Sequence, residues 1–364
     1  MGIYPLIASR GREKKKSGTF VHFHDAAQTV PDLGTMTFGW ESSSSFISND
    51  IALRFVNQFS ALGHAHVDTA SIYSGGQCEG IVGDVLSCLE GKNNLKIGTK
   101  AHPSLPGGLS KVGMRAQWTK SWNEIGVSRL EEYYLHQPDT ENDILPSLEF
   151  VSELIDKGKV KRLGLSNYNV LEVERIFNLC ESHNLHKPTV YQGIYNPLNR
   201  VVEDDLLPCL RSNGCDFIAY NPLAAGLLTG KHRRGGEVIS GRFKNNENYM
   251  PRFYTDDNFS ALEALEAACS AHQVELVDAT FRWMMLHSAL TESDGLLIGA
   301  SSIAQLESNL DSLTDPAPLP EHVREVMDDV YNRWTKRGAF PYFRGYSKCM
   351  PNKEQLESGA TYQR

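Results

Sequence analysis

Four side chains in this 364-residue chain could together manage a proton at a reacting oxygen: Asp68, Tyr73, Lys100 and His136. A tyrosine phenol has a pKa near 10, so at neutral pH it holds a proton that it releases reluctantly. A lysine ammonium beside it favours the phenolate and brings that pKa toward working pH. The lysine must itself stay charged in a partly dry pocket, which a paired aspartate achieves. A neutral histidine can donate a hydrogen bond to a carbonyl and fix its approach.

Each of the four also has a plainer reading. Asp68 alone could cap a helix, Tyr73 could be a rim aromatic, Lys100 a surface charge and His136 a satisfied core histidine. What favours the chemical reading is their order at the ends of three successive apolar segments. The segment HVDTASIYSGGQCEGIVG (His66–Gly83) raises a rival, because its glycines could cradle a phosphate. Gly75, Gly76, Gly80 and Gly83 do not fit G-x-G-x-x-G, and no G-K-[ST] follows. The stretch therefore reads as the mounting for an acid. His22/His24 and His64/His66 have H-x-H spacing, but a metal site needs three or four convergent ligands and no third is indicated. No metal is expected.

The elements that must position these residues alternate along the chain. Strands are expected around Leu33–Met36, Ala65–Asp68, Leu95–Thr99, Glu132–His136, Val160–Leu165, Thr189–Gln192, Asp216–Tyr220 and Gly295–Ile298. Between them, stretches such as IALRFVNQFSALG and VLEVERIFNLCESH repeat apolar residues at three- and four-residue spacing. Asn49 and Asn169 are expected N-caps of two such helices. Eight strands separated by helices imply a parallel sheet, either doubly wound or closed. Eight units in about 280 residues match the usual ~250 of a (β/α)8 barrel, and that α/β fold is the expectation. Extra helices are expected at Phe259–Ala271, Val274–His287 and His322–Lys336, and a large loop at His232–Asp257. On this reading the active residues lie just after the strands, at the C-terminal mouth.

Composition narrows the class. With 41% hydrophobic residues and a formal charge of −8, the chain can bury a large core and lacks the clustered cations that nucleic acid requires. The basic run RGREKKK (Arg10–Lys16) has no aromatic interleaving and reads as a solvated tail. Seven cysteines without a C-x-x-C pair suit free thiols in a reducing compartment. The opening residues place an apolar stretch before the charges, the reverse of a secretory signal, and Leu6 stands where a myristoylation site wants Ser or Thr. No apolar run approaches the ~20 residues of a membrane span. A cytoplasmic protein with no membrane association is expected.

These four residues, together with GTMTFG (Gly34–Gly39), GLSN (Gly164–Asn167), YQGIYNPLNR (Tyr191–Arg200) and YNPLAAGLLTGK (Tyr220–Lys231), make the chain resemble an aldo-keto reductase. The resemblance spans Pro31 to Arg344 and is closest to the aflatoxin aldehyde reductase branch, which includes succinic semialdehyde reductases. It implies a TIM barrel over residues 31–344, with an N-terminal tail of residues 1–30 and a C-terminal tail of residues 345–364. It also implies NADPH bound in an extended pose without a Rossmann domain. Hydride would pass to an aldehyde or ketone carbon while Tyr73 protonates the oxygen; Lys100 and Asp68 would tune Tyr73, and His136 would orient the carbonyl. In the related potassium-channel β-subunits the position of His136 is an asparagine, so histidine here favours turnover.

The resemblance also assigns binding residues. Met36 falls at the cofactor, Ser166, Asn167 and Gln192 at its carboxamide, and Tyr220 against the nicotinamide ring. Asn221, Pro222, Leu223, Gly226, Leu228 and Lys231 fall in the stretch that wraps the pyrophosphate, where glycine permits close approach and lysine supplies charge. Gly299, Ser301, Gln305 and Asn309, in GASSIAQLESN, fall at the adenosine end, although on sequence physics alone that stretch is an N-capped surface helix. The GASSIAQ stretch has no cation, so Arg242 in SGRF is assigned to the 2′-phosphate. Tyr249, Arg252 and Arg344 fall at the substrate, where an arginine fork suits a carboxylate. The implied task is NADPH-dependent reduction of a small-molecule carbonyl. The alternatives are a dedicated reducing step in a fungal-type secondary-metabolite pathway, or a cofactor-bound regulatory subunit with little turnover. Members of the branch are often dimers, so the resemblance allows a homodimer, although no feature of the sequence marks an interface.

Overall fold

Eight parallel strands close on themselves in sequence order, β1 (Val30–Gly34), β2 (His66–Asp68), β3 (Lys96–Ala101), β4 (Leu130–Leu135), β5 (Val160–Ser166), β6 (Val190–Ile194), β7 (Asp216–Tyr220) and β8 (Gly295–Ile298), with β8 paired back onto β1. The structure, a computed structural model, describes residues 29–41, 45–89, 94–238, 241–244, 249–314 and 316–339. The closed (β/α)8 barrel expected from the alternation is therefore the observed fold, and the doubly wound sheet is not. Arg344 and both terminal segments lie outside the described residues.

Helices α1 (Asn49–Ala61), α2 (Cys78–Cys88), α3 (Lys111–Ile125), α4 (Leu145–Asp156), α5 (Val170–Ser182) and α6 (Leu206–Ser212) follow the first six strands. The short α7 (Met250–Phe253) lies in the large loop after β7, and α8 (Asp256–Ala271) and α9 (Leu276–Leu286) complete that connection. Helices α10 (Ile303–Asp311) and α11 (Glu321–Val330) come after β8, and α11 runs into a wide turn at Tyr331–Thr335. Buried apolar residues such as Leu33, Phe55, Leu163, Phe217 and Trp283 fill the space between barrel and helices.

Several boundaries differ from expectation for identifiable reasons. β1 begins three residues earlier than Leu33 and ends at Gly34; Pro31 conceals the strand in the sequence, although it pairs with Leu296. At the other end the Thr35 amide still donates to Asp68, but Phe38 then turns back onto the Thr35 carbonyl. β4 likewise starts at Leu130, so His136 falls just past the strand while its amide still donates to Ala101 at 2.9 Å. Asn49 is not an N-cap: Ser48 holds that position, and the Asn49 amide instead donates to the Asp84 carboxylate at 2.7 Å. Asn169 does cap α5, accepting from the Glu172 amide at 2.9 Å. α8 starts earlier than Phe259 because the Thr255 hydroxyl accepts from Asn258 and so fixes its first turn.

Inside the barrel, Tyr134, Val190 and Ile218 form a plug with Leu297 packed against it. The plug depends on Gly164 in β5, where an added Cβ would lie 2.2 Å from the Tyr134 ring. Tyr134 in turn lies 5.6 Å under the Lys100 ammonium, so the plug is the floor of the site. Gly164→Ala is expected to lower stability by about 1–3 kcal/mol, read as a reduced urea midpoint at constant slope.

Below the plug, burial raises the carboxyls of Asp32 and Glu132, the latter to about 7. A carboxyl raised in the fold stabilises it fully below its unfolded value of about 4.5, and that contribution is lost as pH rises through 7. Glu132→Gln should therefore gain stability relative to the parent between pH 5 and pH 8, measured as the difference in unfolding midpoints. A variant whose relative stability fell over that range would refute the assignment.

Candidate functional site

The three strand ends after β2, β3 and β4 deliver four groups to one place. Lys100, fully buried at the end of β3, donates to both Asp68 carboxylate oxygens at 2.6 Å and to the Thr69 carbonyl at 2.8 Å. Gln192 from β6 adds a fourth hydrogen bond, 2.9 Å from its amide to Asp68 Oδ1. Burial lowers the Lys100 pKa and the Asp68 carboxylate opposes that shift, so the pair survives desolvation only as a pair. The Lys100 ammonium lies 5.0 Å from the centre of the Tyr73 ring. Tyr73 and His136 meet edge to face with centroids 5.7 Å apart. Burial pushes the His136 pKa well down, helped by His102 and Lys100, and the ring is held neutral.

The glycine cluster after Tyr73 forms the turn on which that side chain is mounted. Tyr73–Gly76 form a tight turn in which Ser74, Gly75 and Gly76 take positive φ angles of 51°, 66° and 91°. Left-handed backbone is costly for Ser74, and its hydroxyl is tied to the Phe38 carbonyl at 2.6 Å. The turn reverses the chain so that Tyr73 stands over the barrel mouth while Cys78 starts α2.

A cavity of about 950 Å³ opens at this mouth. Asp68, Tyr73 and His136 line it, and Lys100 lies beneath its wall. Met36, Ser166, Asn167, Gln192 and Tyr220 line the same cavity. The Asn167 amide donates to the His136 carbonyl at 3.0 Å and its Oδ1 accepts from the Tyr220 hydroxyl at 2.7 Å, which joins the β5 and β7 ends. Asn221, Pro222, Leu223, Gly226 and Lys231 continue the wall away from Tyr73. Gly226 has φ 108°, and a Cβ there would meet nothing within 4 Å, so backbone amides are open to a close ligand.

The far arm carries Arg242, Gly299, Ser301, Gln305 and Asn309. Arg242 is anchored by the Asn221 side chain at 2.9 Å, and its other nitrogen lies 3.4 Å from the position of a Gly299 Cβ. Asn309 donates to the Gly299 carbonyl at 3.3 Å, and Gln305 accepts from the Ser301 amide and hydroxyl at 3.0 and 2.9 Å. A long polar arm with a fixed guanidinium at one end and an aromatic mouth at the other fits a phosphate-bearing dinucleotide.

Two of the expected contacts are placed elsewhere. Leu228 is not on the wall; positive φ at Ala225 and Gly226 reverses the chain, and its side chain is buried in the core. Arg252 is not on the wall either. Helix α7 turns it inward, where its charge acts on Tyr220, a phenol that burial raises to about 12. Tyr249 does line the cavity, with its hydroxyl 3.9 Å from Met36 Sδ. The sequence reading missed Trp40, His232, Glu237 and Phe243, which also line it. They come from loops, and only their closeness to GTMTFG and SGRF could have marked them. Among the described residues no three His, Cys, Asp or Glu side chains converge as a metal set, and no helix is long and apolar enough to cross a membrane.

Comparison with known proteins places residues 32–331 in the aldo/keto reductase family model. The chain is 39% identical over 315 residues to aflatoxin B1 aldehyde reductase member 2 of Mus musculus, covering 82% of this chain and 84% of that protein. The Homo sapiens protein of the same name is 38% identical over 313 residues, covering 82% and 86%. The aldo-keto reductase pigE of Monascus ruber is 30% identical over 308 residues, covering 79% and 88%.

Proposed function

The chain belongs to the aldo/keto reductase family and is thus an oxidoreductase of carbonyl groups, and on that premise we propose that it reduces aldehydes or ketones to alcohols with NADPH, using Tyr73 as the proton donor. The observation that carries this reading is the buried Lys100, bound to both oxygens of Asp68 at 2.6 Å and set 5.0 Å from the Tyr73 ring. NADPH, when bound, supplies the hydride that the carbonyl carbon receives.

The remaining work falls to this chain's side chains. The carbonyl oxygen lies against Tyr73 and His136, and the neutral imidazole donates a hydrogen bond that polarises and aligns it. As negative charge develops on that oxygen, the Tyr73 hydroxyl proton moves onto it. The phenolate left behind faces the Lys100 ammonium, which stabilises it through a low-dielectric gap. Asp68 keeps Lys100 charged, and Gln192 keeps Asp68 in place. Asn167, Ser166 and Tyr220 flank the reacting end, while Gly226, Lys231 and Arg242 serve the phosphates.

Turnover is tested by NADPH consumption with succinic semialdehyde, 4-nitrobenzaldehyde and an α-dicarbonyl beside NADH controls. Reduction of at least one of them is expected; NADPH binding without turnover of any would favour a regulatory role. Arg242→Ala isolates the cofactor choice. Loss of a guanidinium–phosphate contact should weaken NADPH binding about tenfold or more, at ~1.4 kcal/mol per decade, and leave NADH within twofold. An unchanged NADPH dissociation constant would move the 2′-phosphate elsewhere. The name of the Monascus ruber relative identifies only a family member, so the dedicated-pathway alternative rests on the substrate found.

A further inference from the structure

His136 has a second ring behind it. His102 lies one residue past the end of β3, two positions after Lys100, and is fully buried. Its ring meets His136 edge to face, with centroids 5.0 Å apart and planes at 88°. Tyr73 meets the same imidazole at 5.7 Å and 79°, so His136 is packed against two rings, one catalytic and one not. His102 does not line the cavity, and anything it does to the reaction passes through His136.

His102 is held more firmly than packing requires. Gln117 from α3 clamps its backbone, accepting from the His102 amide at 2.8 Å and donating to its carbonyl at 3.1 Å. Gln117 also donates to the Gly108 carbonyl at 3.0 Å, which ties the clamp to the following loop. The ring itself accepts the Ser104 amide on Nδ1 at 3.1 Å. That bond places the proton of the neutral ring on Nε2.

We propose that His102 is a positioning residue that fixes the plane of the His136 imidazole for its hydrogen bond to the carbonyl. The proposal rests on the carbonyl-reductase reading of the site. Charged and titratable groups face His136 from two elements: Lys100 and His102 from the end of β3, and Tyr73 from the turn before α2. From the β5 end the uncharged Asn167 amide donates to its carbonyl. Burial holds the His136 pKa well down, and two buried imidazoles in contact cannot both take a proton cheaply. An imidazolium at His136 would compete with Lys100 for the same small volume and turn its N–H groups toward other acceptors.

Two variants separate positioning from packing. His102→Asn keeps an oxygen for the Ser104 amide and removes the ring; His102→Phe keeps a ring and removes the titrating nitrogens. Each is read by steady-state kinetics with an aldehyde across pH, by NADPH binding, and by NMR titration of the His136 ring, assigned with His136→Asn. His102→Asn should raise KM for the aldehyde about tenfold with NADPH binding within twofold, and move the His136 titration upward by about one pH unit. His102→Phe, which keeps a ring against His136, should keep KM within threefold and leave the His136 titration in place. Unchanged KM and an unmoved His136 titration in His102→Asn would overturn the proposal, as would a loss confined to thermal stability. Should His102→Asn fail to fold, His102→Gln replaces it, with the same rise in KM expected and an unchanged KM overturning the proposal. A parent enzyme that reduces no carbonyl would refute the functional reading, and the NMR comparison would still settle what His102 does to His136.

Discussion

Tyr73→Phe is expected to lower kcat by about 10²–10⁴-fold, or roughly 3–5 kcal/mol of transition-state stabilisation, with little change in cofactor affinity. The reason is geometric. The ring stays in place, because backbone conformation and the Ser74 bond to the Phe38 carbonyl fix the turn at Tyr73–Gly76. The Lys100–Asp68 pair also stays intact, because Lys100 still donates to both Asp68 oxygens and to the Thr69 carbonyl. Only the proton donor is removed. The pH dependence should change with it: the basic limb of the parent's kcat, which reports deprotonation of the acid, should be absent from the residual activity. Retained kcat, or a loss accompanied by a tenfold weaker NADPH complex, would place the acid elsewhere.

Lys100→Met has the second large effect, and it reaches stability as well as rate. The ammonium is fully buried, so its removal leaves the Asp68 carboxylate in the barrel mouth with Gln192 as its side-chain donor among the described residues. Breaking a buried pair in this way costs about 3–5 kcal/mol. An unpaired carboxylate left in a dry site is costly while charged and is relieved when it takes a proton. A raised carboxyl contributes its stability below the unfolded pKa and loses it as pH rises, so the deficit against the parent should be smaller at pH 5 than at pH 8. Thermal unfolding at the two pH values checks the sign. Without the ammonium the Tyr73 phenolate also loses its stabilising charge, and kcat should fall at least about a hundredfold. Equal deficits at both pH values would mean that Asp68 keeps its charge by another partner.

How much of this could be read from the chain follows from what each residue depends on. Asp68, Lys100 and His136 were legible because strand ends in a parallel barrel converge by topology, and the alternation of apolar segments fixed the order. Tyr73 was legible because five residues separate it from Asp68 and a glycine turn follows. The boundaries of β1 and β4 were less so: Pro31 breaks the strand pattern in sequence but not in the sheet, and Leu130 is separated from the rest of its strand by two glutamates. Leu228 and Arg252 show the limit of position-by-position likeness. Whether a loop residue faces a ligand depends on backbone reversals such as those at Ala225 and Gly226, which apolar patterning does not encode. Trp40, Glu237 and Phe243 reach the cavity from loops whose course is set by tertiary packing. His102 needed the fold for another reason, since its significance lies in contact with a ring 34 residues later on the adjacent strand end.

The most direct test of the central claim is the fate of a deuterium label. NADPH carrying deuterium at C4 of the nicotinamide, prepared as each of its two epimers, is supplied with an aldehyde that the enzyme reduces, and the alcohol formed is analysed by mass spectrometry and NMR. The account predicts that one epimer yields alcohol with a single deuterium on the carbinol carbon, that the other yields none, and that Tyr73→Phe slows formation without changing where the label lies. Alcohol free of deuterium from both epimers, or no alcohol at all from a protein that binds NADPH, would contradict it.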